Sequence, residues 1–164
     1  MSISKFMKGL TVACSIMFLF ACGGQEQEAV EPVDVVEPSE PSAEELYHQQ
    51  MIALAETRVV YFDLDDDTVK SDAAAVLEAH AYVLRQDANL VVTIEGHCDE
   101  RGTPAYNLAL GERRANAVAQ ALMLNGVSSS QIKTVSYGEE QPAAEGHDES
   151  AWSMNRRGVI NYEG

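Results

Sequence analysis

The sequence predicts an α/β fold: an α+β sandwich with a mixed sheet and helices packed on one face. Three observations carry this. Segments rich in β-branched and aromatic residues, at residues 58–64, 90–95, 132–137 and 157–162, are separated by segments with helical periodicity. Within Leu90–Glu95, Val92 and Ile94 share one face while Val91, Thr93 and Glu95 share the other, the alternation of a strand with one buried side. Ala73, Leu77, Ala81 and Leu84, and later Gly111, Ala115, Val118 and Leu122, recur at helical spacing and give each helix a single apolar stripe. Strand and helix alternate, so part of the sheet is expected to be parallel with right-handed crossovers. One stripe per helix leaves the second sheet face open.

The chain of 164 residues is long enough for one modest domain and additional segments. Residues 1–21 read as a secretory signal. Lys5 and Lys8 form a positive start, and Leu10–Phe20 is an apolar core too short for a comfortable membrane span. Leu19-Phe20-Ala21-Cys22 resembles the bacterial lipobox, which implies lipidation of Cys22 after cleavage. Gly23 follows the cysteine where aspartate would imply inner-membrane retention, so an outer-membrane anchor facing the periplasm is expected. Several acyl chains on one residue anchor stably. Residues 22–50 are expected to be the lipidated start and a flexible acidic linker. Pro32, Pro38 and Pro41 interrupt any period there, and the stretch has too little apolar surface to fold. Of the three cysteines, Cys14 would leave with the signal and Cys22 would be lipidated. Cys98 then stands alone, either shielded by packing or able to pair between chains.

The folded domain is expected over residues 51–164. A lead-in helix, Ala43–Glu56, has a capping box in Ser42 and Glu45. A strand over Arg58–Leu64 ends at Asp65-Asp66-Asp67. Ser71 is placed as the N-cap of a helix through Arg85, with Asp72 in its first turn. After the strand at Leu90–Glu95, Pro104 opens a helix that Gly126 stops. A strand at Ile132–Tyr137, a loop at Gly138–His147, a helical turn at Ser150–Asn155 and a strand at Arg157–Tyr162 complete the chain.

The formal net charge is −15, which argues against a nucleic-acid partner, because phosphate contacts need clustered Lys and Arg. The aspartates at 65–67 lack the glycine and closing glutamate of a calcium loop, so a solvated turn is expected there. An enzyme using His97, Cys98 and Asp99 on a metal is disfavoured: neighbouring residues on a turn rarely converge on one ion, and no HExxH or CxxC pattern occurs. No metal, cofactor or catalytic residue is assigned. His97 and His147 are expected to be hydrogen-bonded loop or edge residues, and Arg156 and Arg157 braces for the last strand.

Ile94–Ala117 brings an acid, a base, a hydroxyl and an amide to one strand-to-helix turn. The run G-H-C-D-E-R-G-T-P-A-Y-N-L-A-L-G-E-R-R-A-N-A-V, with V-Y-F-D-L-D at Val60–Asp65, V-S-Y-G at Val135–Gly138 and N-R-R at Asn155–Arg157, resembles the OmpA-like C-terminal domain family. The resemblance spans Met51 to Tyr162. Two departures are Cys98, where Thr or Ala is usual, and Gly158, where Ala or Val is expected. The resemblance implies non-covalent binding of the peptidoglycan stem peptide through its diaminopimelate residue. It implies Asp99 as the key acid and Arg114 as the key arginine. Phe62, Asp63, Arg101, Thr103, Asn107 and Leu110 would surround them. It further implies membership of the Tol–Pal envelope system, with TolB and other Tol proteins as partners on an overlapping surface. A periplasmic hub for such proteins, with wall binding secondary, is the alternative.

The free end of diaminopimelate carries an ammonium and a carboxylate, which call for an acceptor and a donor fork. Helix geometry puts Arg114 at the edge of the apolar stripe, so its guanidinium is expected at the rim, partly desolvated. Arg113 should point to water. A structural ion pair of Arg114 with Glu95 or Asp99, or a turn cap by Asp99, stays open from residue types alone. Asp99→Ala or Arg114→Ala is expected to abolish wall binding and leave the fold intact.

Overall fold

The computed structural model describes residues 40–163. The expected signal, the lipobox Cys22 and most of the linker lie outside the described residues. Ser42 opens helix α1 (Ala43–Leu54) with the reciprocal cap read from the sequence: its Oγ accepts from Glu45 N at 3.2 Å, and the Glu45 carboxylate accepts from Ser42 N at 2.6 Å. The helix lies against α2 (Ala74–Gln86), where Tyr82 meets Tyr47 edge-on at 5.6 Å and hydrogen-bonds His48 Nδ1 at 2.9 Å. The folded unit therefore takes in residues from Glu40, including a stretch expected as linker up to residue 50.

Strand β1 is Val59–Tyr61, shorter than the expected 58–64. Phe62 N still bonds Arg156 O at 2.9 Å. The chain then turns away, with Asp65 in the left-handed region at φ 55°. Ser71 does not cap α2. It begins a one-turn 3-10 helix, Ser71–Ala73, in which Ala73 N bonds Lys70 O at 3.1 Å; backbone bonding takes over what a side-chain cap would do.

Strand β2 (Val91–His97) runs two residues beyond its expected end. Thr103 caps α3 (Pro104–Leu124), its Oγ1 accepting from Tyr106 N at 3.2 Å, and Pro104 fills the first helical position. After β3 (Ile132–Gly138), Asp148 rather than Ser150 starts α4 (Glu149–Asn155), accepting from Ser150 N and Ala151 N. Strand β4 (Arg157–Glu163) closes the chain.

The sheet order is β1-β4-β2-β3, with β2 and β3 parallel and β4 antiparallel to both its neighbours. Val60, Val92, Ile94 and Ile160 from the sheet meet Leu77, Ala81 and Leu84 of α2 and Ala115, Val118 and Leu122 of α3 in one core. The predicted stripes thus cover one face. On the other, Thr93, Lys133 and Glu163 form a polar cluster, with Lys133 Nζ 2.7 Å from the Glu163 carboxylate.

At Gly96 and Gly111 alone, helix α3 meets β2 with no side chain between them. A Cβ on Gly96 would lie 1.8 Å from the Gly111 carbonyl oxygen, and one on Gly111 would lie 2.3 Å from Ser136 Oγ. Gly158 is less constrained: a Cβ there would sit 3.2 Å from Val118 Cγ2 and 3.5 Å from Phe62, side-chain contacts tighter than usual but not backbone overlaps.

Candidate functional site

A cleft of about 220 Å³ opens where β2 ends and α3 begins. It is lined by Cys98, Asp99, Arg101, Asn107, Leu110 and Arg114, with Leu64, Asp65, Gly102, Tyr106 and Arg156 completing the wall. Its volume is below the usual range for drug-sized ligands and suits the end of an amino-acid side chain.

Asp99 is 5 % exposed. Its Oδ1 accepts from the backbone N of Arg101 at 3.1 Å and from Nε of Arg101 at 3.0 Å; its Oδ2 accepts from Arg101 Nη2 at 2.7 Å and from Arg156 Nη1 at 3.4 Å. The backbone bond is the turn-capping role left open by the sequence. Burial pushes this carboxyl up, but the hydrogen bonds and charge of Arg101 outweigh burial and hold it below the usual range. Arg101 is held over the Trp152 ring at 4.0 Å.

Arg114 departs most from expectation. It is not at the rim; it is fully buried. Nε donates to Asp66 O at 2.9 Å, Nη1 to His97 O at 2.8 Å and to Cys98 Sγ at 3.4 Å, and Nη2 to Asp63 O at 3.0 Å. The guanidinium carbon lies 5.2 Å from the centre of the Phe62 ring. Backbone carbonyls, not Glu95 or Asp99, satisfy it. Four of its five N–H groups are thereby used, leaving one on Nη2. Burial lowers its pKa from the ordinary guanidinium value, against the pull of Cys98 and Asp99. Three carbonyls depend on it, so Arg114→Ala is predicted to destabilise the fold, against the expectation that it leaves the fold intact. Arg113 behaves as expected: it is 47 % exposed and lies 3.8 Å from Asp67.

Asn107 is buried and donates to the carbonyls of Asp99 and Arg101 at 3.2 and 3.1 Å, and to the Glu139 carboxylate. It fixes the turn beside the cleft. Leu110 lines the wall. Phe62, Asp63 and Thr103 stand outside the lining. Phe62 supports Arg114 from below. Asp63 gives it a carbonyl while its carboxylate pairs outward with Lys70 at 2.6 Å. Thr103 is spent as the α3 cap, and the Tyr106 amide it bonds is not free for a ligand.

Arg156 was expected only to brace the last strand. It is 5 % exposed and bonds Phe62 O at 3.2 Å, Asp99 and Glu149 Oε1, the last at 2.5 Å. Nothing local separates it from Arg157, whose guanidinium turns to the Gln141 and Asn155 carbonyls. The aspartates at 65–67 diverge: Asp65 accepts from the Tyr106 hydroxyl, Asp66 from Thr68 N at 2.8 Å, and Asp67 faces Arg113. His147 bonds Glu100 at 2.6 Å as a loop residue should. His97 does not fit its expectation: it is buried in β2 with neither ring nitrogen hydrogen-bonded. Cys98 is 3 % exposed, its thiol donating to Asn107 O at 3.2 Å, so packing shields it.

Comparison with known proteins agrees with this architecture. The OmpA family matches residues 61–156. The peptidoglycan-associated lipoprotein of Pasteurella multocida is 41 % identical over 160 residues, covering 96 % of this chain and 99 % of that protein. That of Haemophilus influenzae is 40 % identical over 97 % of this chain and 99 % of its own length. The crystal structure of the peptidoglycan-associated lipoprotein from Burkholderia pseudomallei superposes with a TM-score of 0.67 at 45 % identity, covering 67 % of this chain and 93 % of that one. The C-terminal domain of Helicobacter pylori MotB, 21 % identical with a TM-score of 0.60 over 65 % of this chain and 84 % of its own, shares the fold. The chain belongs to the OmpA family, among its peptidoglycan-associated lipoproteins.

Proposed function

We propose that this is an outer-membrane lipoprotein, anchored through Cys22, whose cleft binds the diaminopimelate end of the peptidoglycan stem peptide without covalent chemistry. It would tether outer membrane to cell wall from the periplasmic face as part of the Tol–Pal system. The observation that carries the reading is the meeting, in one small cleft, of a buried carboxylate and a buried guanidinium satisfied only by neutral groups.

Such a pair complements a zwitterion. Asp99 would accept the ligand ammonium. Its four lone-pair sites are all occupied, and the 3.4 Å bond from Arg156 is the weakest. The ammonium displaces that bond, and Arg156 Nη1 becomes free for the ligand carboxylate. Arg114 contributes its remaining N–H and a charge that the surrounding carbonyls do not cancel. The relatives' name, peptidoglycan-associated lipoprotein, supports the ligand class. A protein partner such as TolB on the same rim is the second reading, favoured by Leu64 and Tyr106, which border the cleft at 58 % and 43 % exposure.

The test is retention on purified peptidoglycan sacculi of a soluble form beginning at Glu40. The core cluster, Val60 to Ile160, lies wholly within this form. Wild type should be retained and released by free diaminopimelate. Asp99→Asn should lose about 30-fold or more in affinity, the order expected from one charge-assisted bond. Folded wild type that sacculi do not retain would overturn the wall-binding reading.

A further inference from the structure

His97 sits where β2 leaves its regular register. It pairs with Gly138 while Gly96 pairs with Ser136, so the ladder bulges between Gly96 and His97. Its ring is 1 % exposed, and Nδ1 and Nε2 are the only fully buried side-chain polar atoms without a hydrogen bond among the described residues. Native structures rarely leave such a group unmatched without a reason.

Each packed element presents something to it. From β3, Tyr137 stacks on the ring at 5.5 Å. From β2 itself, Glu95 Oε2 lies 3.6 Å from Nε2, just outside bonding distance. From β4, Arg157 is close enough to oppose a positive charge, and the Gln141 backbone in the following loop favours one. Arg157 in turn feels Tyr61 of β1. On the helix side, the His97 carbonyl accepts from Arg114 Nη1 at 2.8 Å, with the Cys98 thiol alongside.

The neutral ring thus makes no bond, while a protonated ring has two donors and a carboxylate one short movement away. The extra residue of the bulge is Tyr137 on β3, stacked on the ring, and the His97–Cys98 peptide is held on both sides, Cys98 N donating to Gly138 O at 2.8 Å and the His97 carbonyl accepting from Arg114. A swing of the ring toward Glu95 therefore strains a peptide whose carbonyl is one of three that hold Arg114. We propose that His97 is a proton-linked positioning residue: protonation draws its ring to Glu95, tilts its carbonyl away from Arg114 and weakens binding in the cleft. The effect on binding rests on the cleft being the ligand site proposed above. Burial first, then Arg157, keeps the ring neutral at neutral pH, so proton uptake comes below the ordinary histidine range. Linkage is reciprocal, so an occupied cleft makes the proton harder to add.

NMR of the form beginning at Glu40, titrated from about pH 7.5 to about pH 5, can follow the His97 ring and the Arg114 guanidinium together. Both should move with one midpoint in ligand-free protein, and Glu95→Gln should lower that midpoint. Affinity for free diaminopimelate should fall about tenfold across the same range, the order of one weakened charge-assisted bond. His97→Gln should flatten that profile. Arg114 signals that stay still while His97 titrates would overturn the proposal, as would an equal affinity loss in His97→Gln. If diaminopimelate binds at no pH, the wall-binding reading fails, and the ligand-free titration still decides the role of His97.

Discussion

Replacing Arg114 by Met keeps most of the aliphatic stem and removes the guanidinium. The carbonyls of Asp63, Asp66 and His97 then lose their donors inside the protein. Charge-assisted bonds contribute about 2 kcal/mol each, so the three together account for about 6 kcal/mol. The opposing effect is relief of burying a charge. Arg114 is fully buried and burial already lowers its pKa, so removing it returns several kcal/mol, about 3 as a working figure. The carbonyls win, and the net loss is about 3 kcal/mol. For a domain of this size the urea slope is about 2 kcal/mol per molar, so the unfolding midpoint should fall by about 1.5 M. Urea titration followed by circular dichroism, with wild type and Arg114→Met side by side, measures this directly. A midpoint within about 0.3 M of wild type would refute the reasoning, because it would mean that the carbonyls find other donors without cost. Asp99→Asn, nearly the same size and able to keep the Arg101 backbone bond, should move the midpoint by less than half as much.

Three further outcomes follow from the geometry. Gly96→Ala puts a Cβ 1.8 Å from the Gly111 carbonyl oxygen, a clash with backbone that should cost at least about 3 kcal/mol and show as a large drop in thermal midpoint; an unchanged midpoint would contradict the close approach. Stability should fall as pH drops below about 6.5, because buried His80, bonded to Tyr162 OH and Thr57 O, has its pKa lowered by burial and the unfolded chain therefore takes up its proton first. His97 acts in the same direction, and urea midpoints at about pH 7.5 and about pH 5.5 would reveal the slope or its absence. Cys98 should resist a thiol reagent in the native state and react on unfolding, because burial first of all pushes its thiol up and only 3 % of the residue is exposed; rapid native labelling would show the packing to be open.

What could be read from the sequence was local. The Ser42–Glu45 cap, Pro104 opening α3 and the stripe from Gly111 to Leu122 depend on residues a few positions apart, and all are found. The alternation in β2 named the core residues Val92 and Ile94 correctly. Apart from Ser71, the misses are non-local. Ser71 looks like a cap by type, but a 3-10 turn precedes α2. Arg114 looks like a rim residue on its helix because the carbonyls that bury it come from residues 63, 66 and 97. Arg156 and Arg157 are adjacent and alike, and only the return of β4 beside β1 turns the first toward Asp99. His97 reads as a turn residue until the sheet covers it.

The contact between Gly96 and Gly111 sets a hard stop between strand and helix. Elsewhere in the core, the spacing of two elements follows the side chains between them, and a methyl group gained or lost moves it. Here no side chain intervenes, so the separation is fixed by the peptide backbone alone. Repacking around Leu77 or Ile160 can alter stability without changing how far Asp99, just past the end of β2, stands from Arg114 on α3. The two charged groups keep a common frame while the interior behind them is free to drift.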